Sequence, residues 1–108
     1  MIKTSGYRVS PLEVEEVVYG TGLVGEAAAI GVSHPMLGQA IVLVVTARDA
    51  SPLDANSLLA ACKLHLPAYM VPSRIECRES TLPRNPNGKI DRKLLAQACQ
   101  DTFMESGI

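Results

Sequence analysis

AIVLVVTA, residues 40–47, carries no charge and shows no alternation of apolar with polar residues. A strand with one wet face alternates, whereas a strand covered on both faces reads as one apolar run. The run is far too short to span a bilayer, which takes about 20 apolar residues. It is therefore read as a central strand, and the chain must supply cover for both of its sides.

Upstream, EAAAIGV (26–32) predicts a second short strand, and SHPMLGQ (33–39), with its His-Pro pair and glycine, predicts a loop. Ser10-Pro11-Leu12-Glu13 predicts a helix start: Ser10 as cap, Pro11 at the first helical position, Glu13 completing a capping box. Val14, Val17 and Val18 then form an apolar stripe with Glu13 and Glu16 turned away, and Gly20 and Gly22 end the helix. MIKTSGYRV (1–9) reads as two extended segments around a Ser5-Gly6 turn.

Downstream, Ser51-Pro52-Leu53-Asp54 predicts another capped helix, with Leu58, Leu59, Cys62 and Leu66 as its stripe and a stop near Pro67. RIECR (74–78) alternates, with Ile75 and Cys77 on one face and three charges on the other. Asp91 can cap a last helix whose buried side is expected at Leu94, Leu95 and Ala98. The order is hairpin, helix, strand, strand, helix, strand, loop, helix. It predicts a single α+β domain over 1–108: a small sheet of about three strands plus an N-terminal β-hairpin, mixed in direction and packed with helices.

The composition narrows the function classes. The chain has 108 residues, 47% of them hydrophobic, which supports a folded core built on aliphatic residues, since there is no Trp and only one Phe. Ten basic and eleven acidic residues give a formal charge of −1, so no general attraction to nucleic acid or anionic membrane is expected. Three cysteines at long gaps fit reduced thiols rather than a disulfide frame. His34 and His65 stand at no metal-ligand spacing from them, so no metal site is expected. No secretory leader is visible, and a cytoplasmic location is expected.

Two short stretches can carry chemistry. In LPRNPNGKIDRK (82–93), Pro83 and Pro86 stiffen the approach, and Asn87-Gly88 favours a tight turn with positive φ. Lys89 follows at once, two residues before the Asp91 cap. A lysine held there could bridge phosphate and carboxylate oxygens, but turn lysines are commonly just solvated. Ser5-Gly6-Tyr7-Arg8 is the second stretch: Gly6 would let a ligand approach the backbone, and Arg8 could reach a phosphate. A plain hairpin with a surface arginine fits the same residues. No catalytic triad or glycine-rich phosphate loop is present, so any active site must lie mostly elsewhere.

As a set, IKTSGYRVSPLEVEEVV (2–18), LPAYMVPSRIE (66–76) and LPRNPNGKIDRKLL (82–95) resemble the C-terminal lid domain of adenylate-forming enzymes, which include acyl-CoA synthetases and peptide-synthetase adenylation domains. The resemblance runs from residue 2 to about 96. It implies a mobile lid over a large N-terminal domain that binds ATP, Mg2+ and a carboxylic acid and is absent from this chain. It implies that Lys89, on the loop set by Gly88, contacts the acid and the α-phosphate during acyl-adenylate formation. After a large rotation Gly6, with Ser5, Tyr7 and Arg8 beside it, lines the route of the CoA thiol. The chain alone is then expected to be inactive.

This chain departs from the family's pattern in places. Ser5-Gly6 stands where Gly-Gly is common, acidic residues are commoner at His34 and Gln39, and the usual hinge Asp or Lys is absent. IKTSGYRVSP looks closer to acyl-CoA synthetases than to the KIRG pattern of peptide synthetases. The alternatives are a lid that loads an acyl carrier protein, and a free-standing, non-catalytic binding module. The acid itself is not legible, because its pocket would lie in the other domain.

Overall fold

The structure, a computed structural model, describes residues 2–4, 6–36, 38–48, 53–79 and 81–100. Its elements follow the expected order. Strands β1 (Ile2–Thr4) and β2 (Tyr7–Val9) precede helix α1 (Pro11–Gly20), and strands β3 (Val24–His34) and β4 (Gly38–Ala47) follow it. Helix α2 (Ala55–His65), a short 3-10 turn (Ala68–Met70), strand β5 (Arg74–Arg78) and helix α3 (Arg92–Ala98) complete the chain.

The sheet runs β2-β1-β4-β3, with β5 also paired to β4. All pairings are antiparallel except β4 with β5, which is parallel, so the sheet is mixed. The 40–47 run lies at its centre, as its continuous apolar character requires. Ile41, Leu43 and Val45 face one core with Val14 and Val18 of α1 and Leu58 and Cys62 of α2. Val42 and Val44 face the other, with Leu82, with Leu95 of α3 and with Cys99 at the C-terminal cap of that helix. The result is three layers: α1 and α2, the sheet, and α3.

Four local expectations are corrected. The 33–39 loop shrinks to a turn, because Ser33↔Gln39 and His34↔Gly38 continue the β3–β4 ladder and the Met36 amide donates to His34 Nδ1 at 3.1 Å. Ser10 occupies the cap position of α1 without a side-chain capping bond; its carbonyl accepts from the Glu13 amide at 3.2 Å, so the capping box does not form. In α3, Leu94 is 48% exposed and Ala98 is exposed, while Leu95 and Cys99 are buried. The sheet-facing stripe is thus the i, i+4 pair Leu95 and Cys99, with Ala96 beside it. In β5, Ile75 is half-buried against the first core but Cys77 is exposed.

Helix α2 begins just after the expected stretch, and its cap is Asp54, which accepts from the Asn56 amide at 3.0 Å and the Ser57 hydroxyl at 2.9 Å. Ser51 and Pro52 lie outside the described residues. Among the described residues the outer edge of β3 has no strand neighbour, and α1 covers its middle. The Tyr19 hydroxyl accepts from the Ala27 amide at 2.9 Å and donates to the Ala27 carbonyl at 3.2 Å, and Glu15 Oε2 accepts from the Ala29 amide at 2.8 Å. Two side chains thereby stand in for a missing strand. Among the described residues no helix is long and apolar enough to cross a membrane.

Candidate functional site

The lysine turn is a small closed hairpin. Arg84 and Ile90 bridge across it, and the Asp91 amide donates to the Pro83 carbonyl at 2.8 Å. Asn85 organises the tip. Its amide donates to the Lys89 carbonyl at 2.8 Å, its carbonyl accepts from Gly88 at 2.9 Å, and its Oδ1 accepts from the amides of Asn87 at 3.0 Å and Lys89 at 3.1 Å. Gly88 has φ 82°, the conformation expected of the Asn-Gly pair. Lys89 is exposed, and among the described residues its side chain makes no ion pair. Asp91 then caps α3 by accepting from the Leu94 amide at 3.0 Å.

The second stretch also folds as a hairpin. Ile2↔Val9, Lys3↔Arg8 and Thr4↔Tyr7 are paired, and Gly6 has φ 84° with no atom within 4 Å of where a Cβ would stand. Ser5 lies outside the described residues. Tyr7, 53% exposed, stacks on Tyr69 with ring centres 4.3 Å apart and planes 16° from parallel. Such a contact restrains the hairpin without burying it. Gln39 ties the hairpin to β4, its Oε1 accepting from the Lys3 amide at 2.9 Å. Arg8 is exposed beside Tyr7.

The two stretches are not brought together. The Gly6 hairpin joins the sheet at Gly38, opposite His34, whereas the Lys89 hairpin is anchored at Glu26. From Glu26 to His34 the strand advances roughly 26 Å. The domain therefore offers two polar loops at opposite ends of one ladder. Among the described residues no group of three His, Cys, Asp or Glu side chains could hold a metal ion.

Several residues escape the sequence reading. Glu15 is buried, and besides the Ala29 amide it accepts from both Nε of Arg92, at 2.9 Å, and Nη2 of Arg92. Hydrogen bonding to Glu15 pushes the Arg92 guanidinium above its ordinary range. The one available signal was a glutamate flanked by the apolar Val14 and Val18 on a helix. Asn85 was signalled only as an Asx turn former before Pro86. Burial pushes the Cys62 thiol up, and burial together with a bond to Glu76 at 3.1 Å does the same for Cys99, so neither is a ready nucleophile.

The architecture defines a small three-layered α+β module that displays a lysine turn at one end and a glycine hairpin at the other. The family profile described as the AMP-binding enzyme C-terminal domain matches residues 13–89, and the chain belongs to that family. A long-chain-fatty-acid–CoA ligase of Salmonella typhimurium is 41% identical over 95 residues, covering 88% of this chain and 17% of the relative. A 3,4-dihydroxybenzoate–[aryl-carrier protein] ligase of Bacillus anthracis is 38% identical over 95 residues, 88% of this chain and 22% of the relative. The crystal structure of ATP-bound MatB from Rhodopseudomonas palustris superposes with a TM-score of 0.88 at 26% identity, over 95% of this chain and 20% of that one. The chain thus spans about a fifth of the length of the relatives it matches.

Proposed function

We propose that this chain is the C-terminal lid of an AMP-forming acid–thiol ligase and works against an N-terminal domain that binds ATP and a carboxylic acid. The observation that carries the reading is Lys89: an exposed cation with no ion pair among the described residues, at the tip of a turn closed by Asn85, in a chain of this family. ATP supplies the AMP that activates the acid, and CoA supplies the accepting thiol. Lys89 contributes positive charge where phosphate and carboxylate oxygens crowd during attack, and the turn holds that charge in advance. The Gly6 hairpin, with Ser5, Tyr7 and Arg8, serves the second half-reaction by leaving the thiol an open path along the backbone. Their wide separation supports a lid that presents one loop at a time.

The acceptor is proposed to be CoA, in keeping with the 41% identical CoA ligase. The aryl-carrier protein ligase favours a second reading, transfer to a carrier-borne thiol, and assaying both acceptors separates them. The test of the main reading uses Lys89→Ala in the ligase with its N-terminal domain in place. Pyrophosphate exchange is expected to fall by roughly a hundredfold or more, as for loss of one preorganised charge contact. Thioester formation from supplied acyl-adenylate is expected to survive. Equal loss of both half-reactions would contradict the assignment.

A further inference from the structure

The lysine turn is tied to the sheet by two side chains given no role so far, Glu26 of β3 and Arg84 of the turn itself. One oxygen of Glu26 accepts from the Leu82 amide at 3.0 Å, and the other pairs with Arg84 Nη2. Arg84 Nη1 meanwhile donates to the Gly88 carbonyl at 3.0 Å. Glu26 sits at the register shift in the β3–β4 ladder, where its own amide turns to the Thr46 hydroxyl at 2.9 Å. Such irregularities commonly re-aim a side chain.

We infer that Glu26 and Arg84 are positioning residues for Lys89, the Glu26 carboxylate fixing, through the Arg84 guanidinium, the carbonyl of Gly88 and so the direction in which Lys89 leaves the turn. The Gly88 carbonyl and the Lys89 amide belong to one planar peptide unit. Arg84 holds its oxygen side and Asn85 Oδ1 holds its nitrogen side at 3.1 Å. With both sides held, the plane that carries the Lys89 Cα cannot swing.

The chemistry of the brace needs these residue types. Arg84 serves two acceptors in different directions from one rigid fork, which an ammonium group does not reproduce. Its side chain is 49% exposed, so the ion pair with Glu26 adds little to stability. Its contribution is geometric: without Glu26 the long Arg84 side chain has no fixed rotamer from which to reach Gly88.

This inference rests on the reading of Lys89 as the adenylation lysine, and the experiment keeps the two apart. Glu26→Gln, Arg84→Ala and Lys89→Ala are compared in the ligase with its N-terminal domain in place. Glu26→Gln and Arg84→Ala are expected to lower kcat for pyrophosphate exchange roughly 10- to 100-fold, the scale of a misplaced catalytic group. The KM for ATP and the rate of thioester formation from supplied adenylate should stay within about twofold, because both residues lie at the far end of the ladder from the Gly6 hairpin. Guanidinium ion added to the Arg84→Ala enzyme should recover part of the lost exchange rate. A merely structural role would lower both half-reactions together with the melting temperature, and that outcome, or wild-type exchange in both variants, overturns the inference. If Lys89→Ala itself leaves exchange intact, the role of the lysine falls, whatever the brace does.

Discussion

Glu15 accepts three hydrogen bonds at a position where α1, α3 and the edge of β3 meet. A buried amide that loses its acceptor cannot turn to water, so Glu15→Ala should destabilise the chain by about 2 kcal/mol. For a domain of this size that corresponds to a fall in Tm of roughly 10 °C. Glu15→Gln can still accept from the Ala29 amide but gives up the charge that faces Arg92, and should cost about half as much. Thermal unfolding followed by circular dichroism distinguishes the two. Equal losses would mean that the bond to Ala29 contributes nothing.

At the scale of elements, the cap of α2 makes the fold sensitive to acid. The Ser57 hydroxyl, and after it the Asn56 amide, hold the Asp54 carboxyl below its ordinary value of 3.8. A carboxyl whose folded pKa is depressed stabilises the fold above its unfolded pKa. That contribution should be complete above pH 3.8 and be lost as pH falls through the lower folded value. Unfolding profiles of the wild type and Asp54→Asn should therefore converge on acidification, and a gap independent of pH would refute the cap's role.

The elements themselves were legible in the sequence because each rests on a local signal: the unbroken 40–47 run, the Ser-Pro-Leu-Asp start at 51–54, the Asp91 cap, the prolines and the Asn-Gly pair. Failures came where a tertiary partner decides. Nothing near Leu94 says that α3 turns Leu95 and Cys99 to the sheet, since a seven-residue helix is too short to show its period twice. The His-Pro pair suggested a loop, yet cross-strand pairing carried β3 to His34. At the candidate site, Lys89 and Gly6 were legible as exposed turn residues. Glu26 and Arg84 were not, because 58 positions separate two residues that meet only after β3 and the final hairpin are both in place.

For the molecule as a whole, the edge of β3 has a consequence beyond the stability of one chain. At 11 residues β3 is the longest strand among the described residues, and none of the described strands pairs with its outer side. The other outer strands, β2 and β5, are only three and five residues long, and β5 carries Arg74 and Arg78 at its ends. Short or charged edges recruit further strands poorly, whereas a long apolar one is a template for fibril growth. By occupying Ala27 and Ala29, Tyr19 and Glu15 act as guards against self-assembly. Replacing both, as Tyr19→Phe with Glu15→Ala, should give a chain that still folds but forms thioflavin-positive aggregates well below its melting temperature. A double variant that ages like the wild type would show that the guard lies elsewhere.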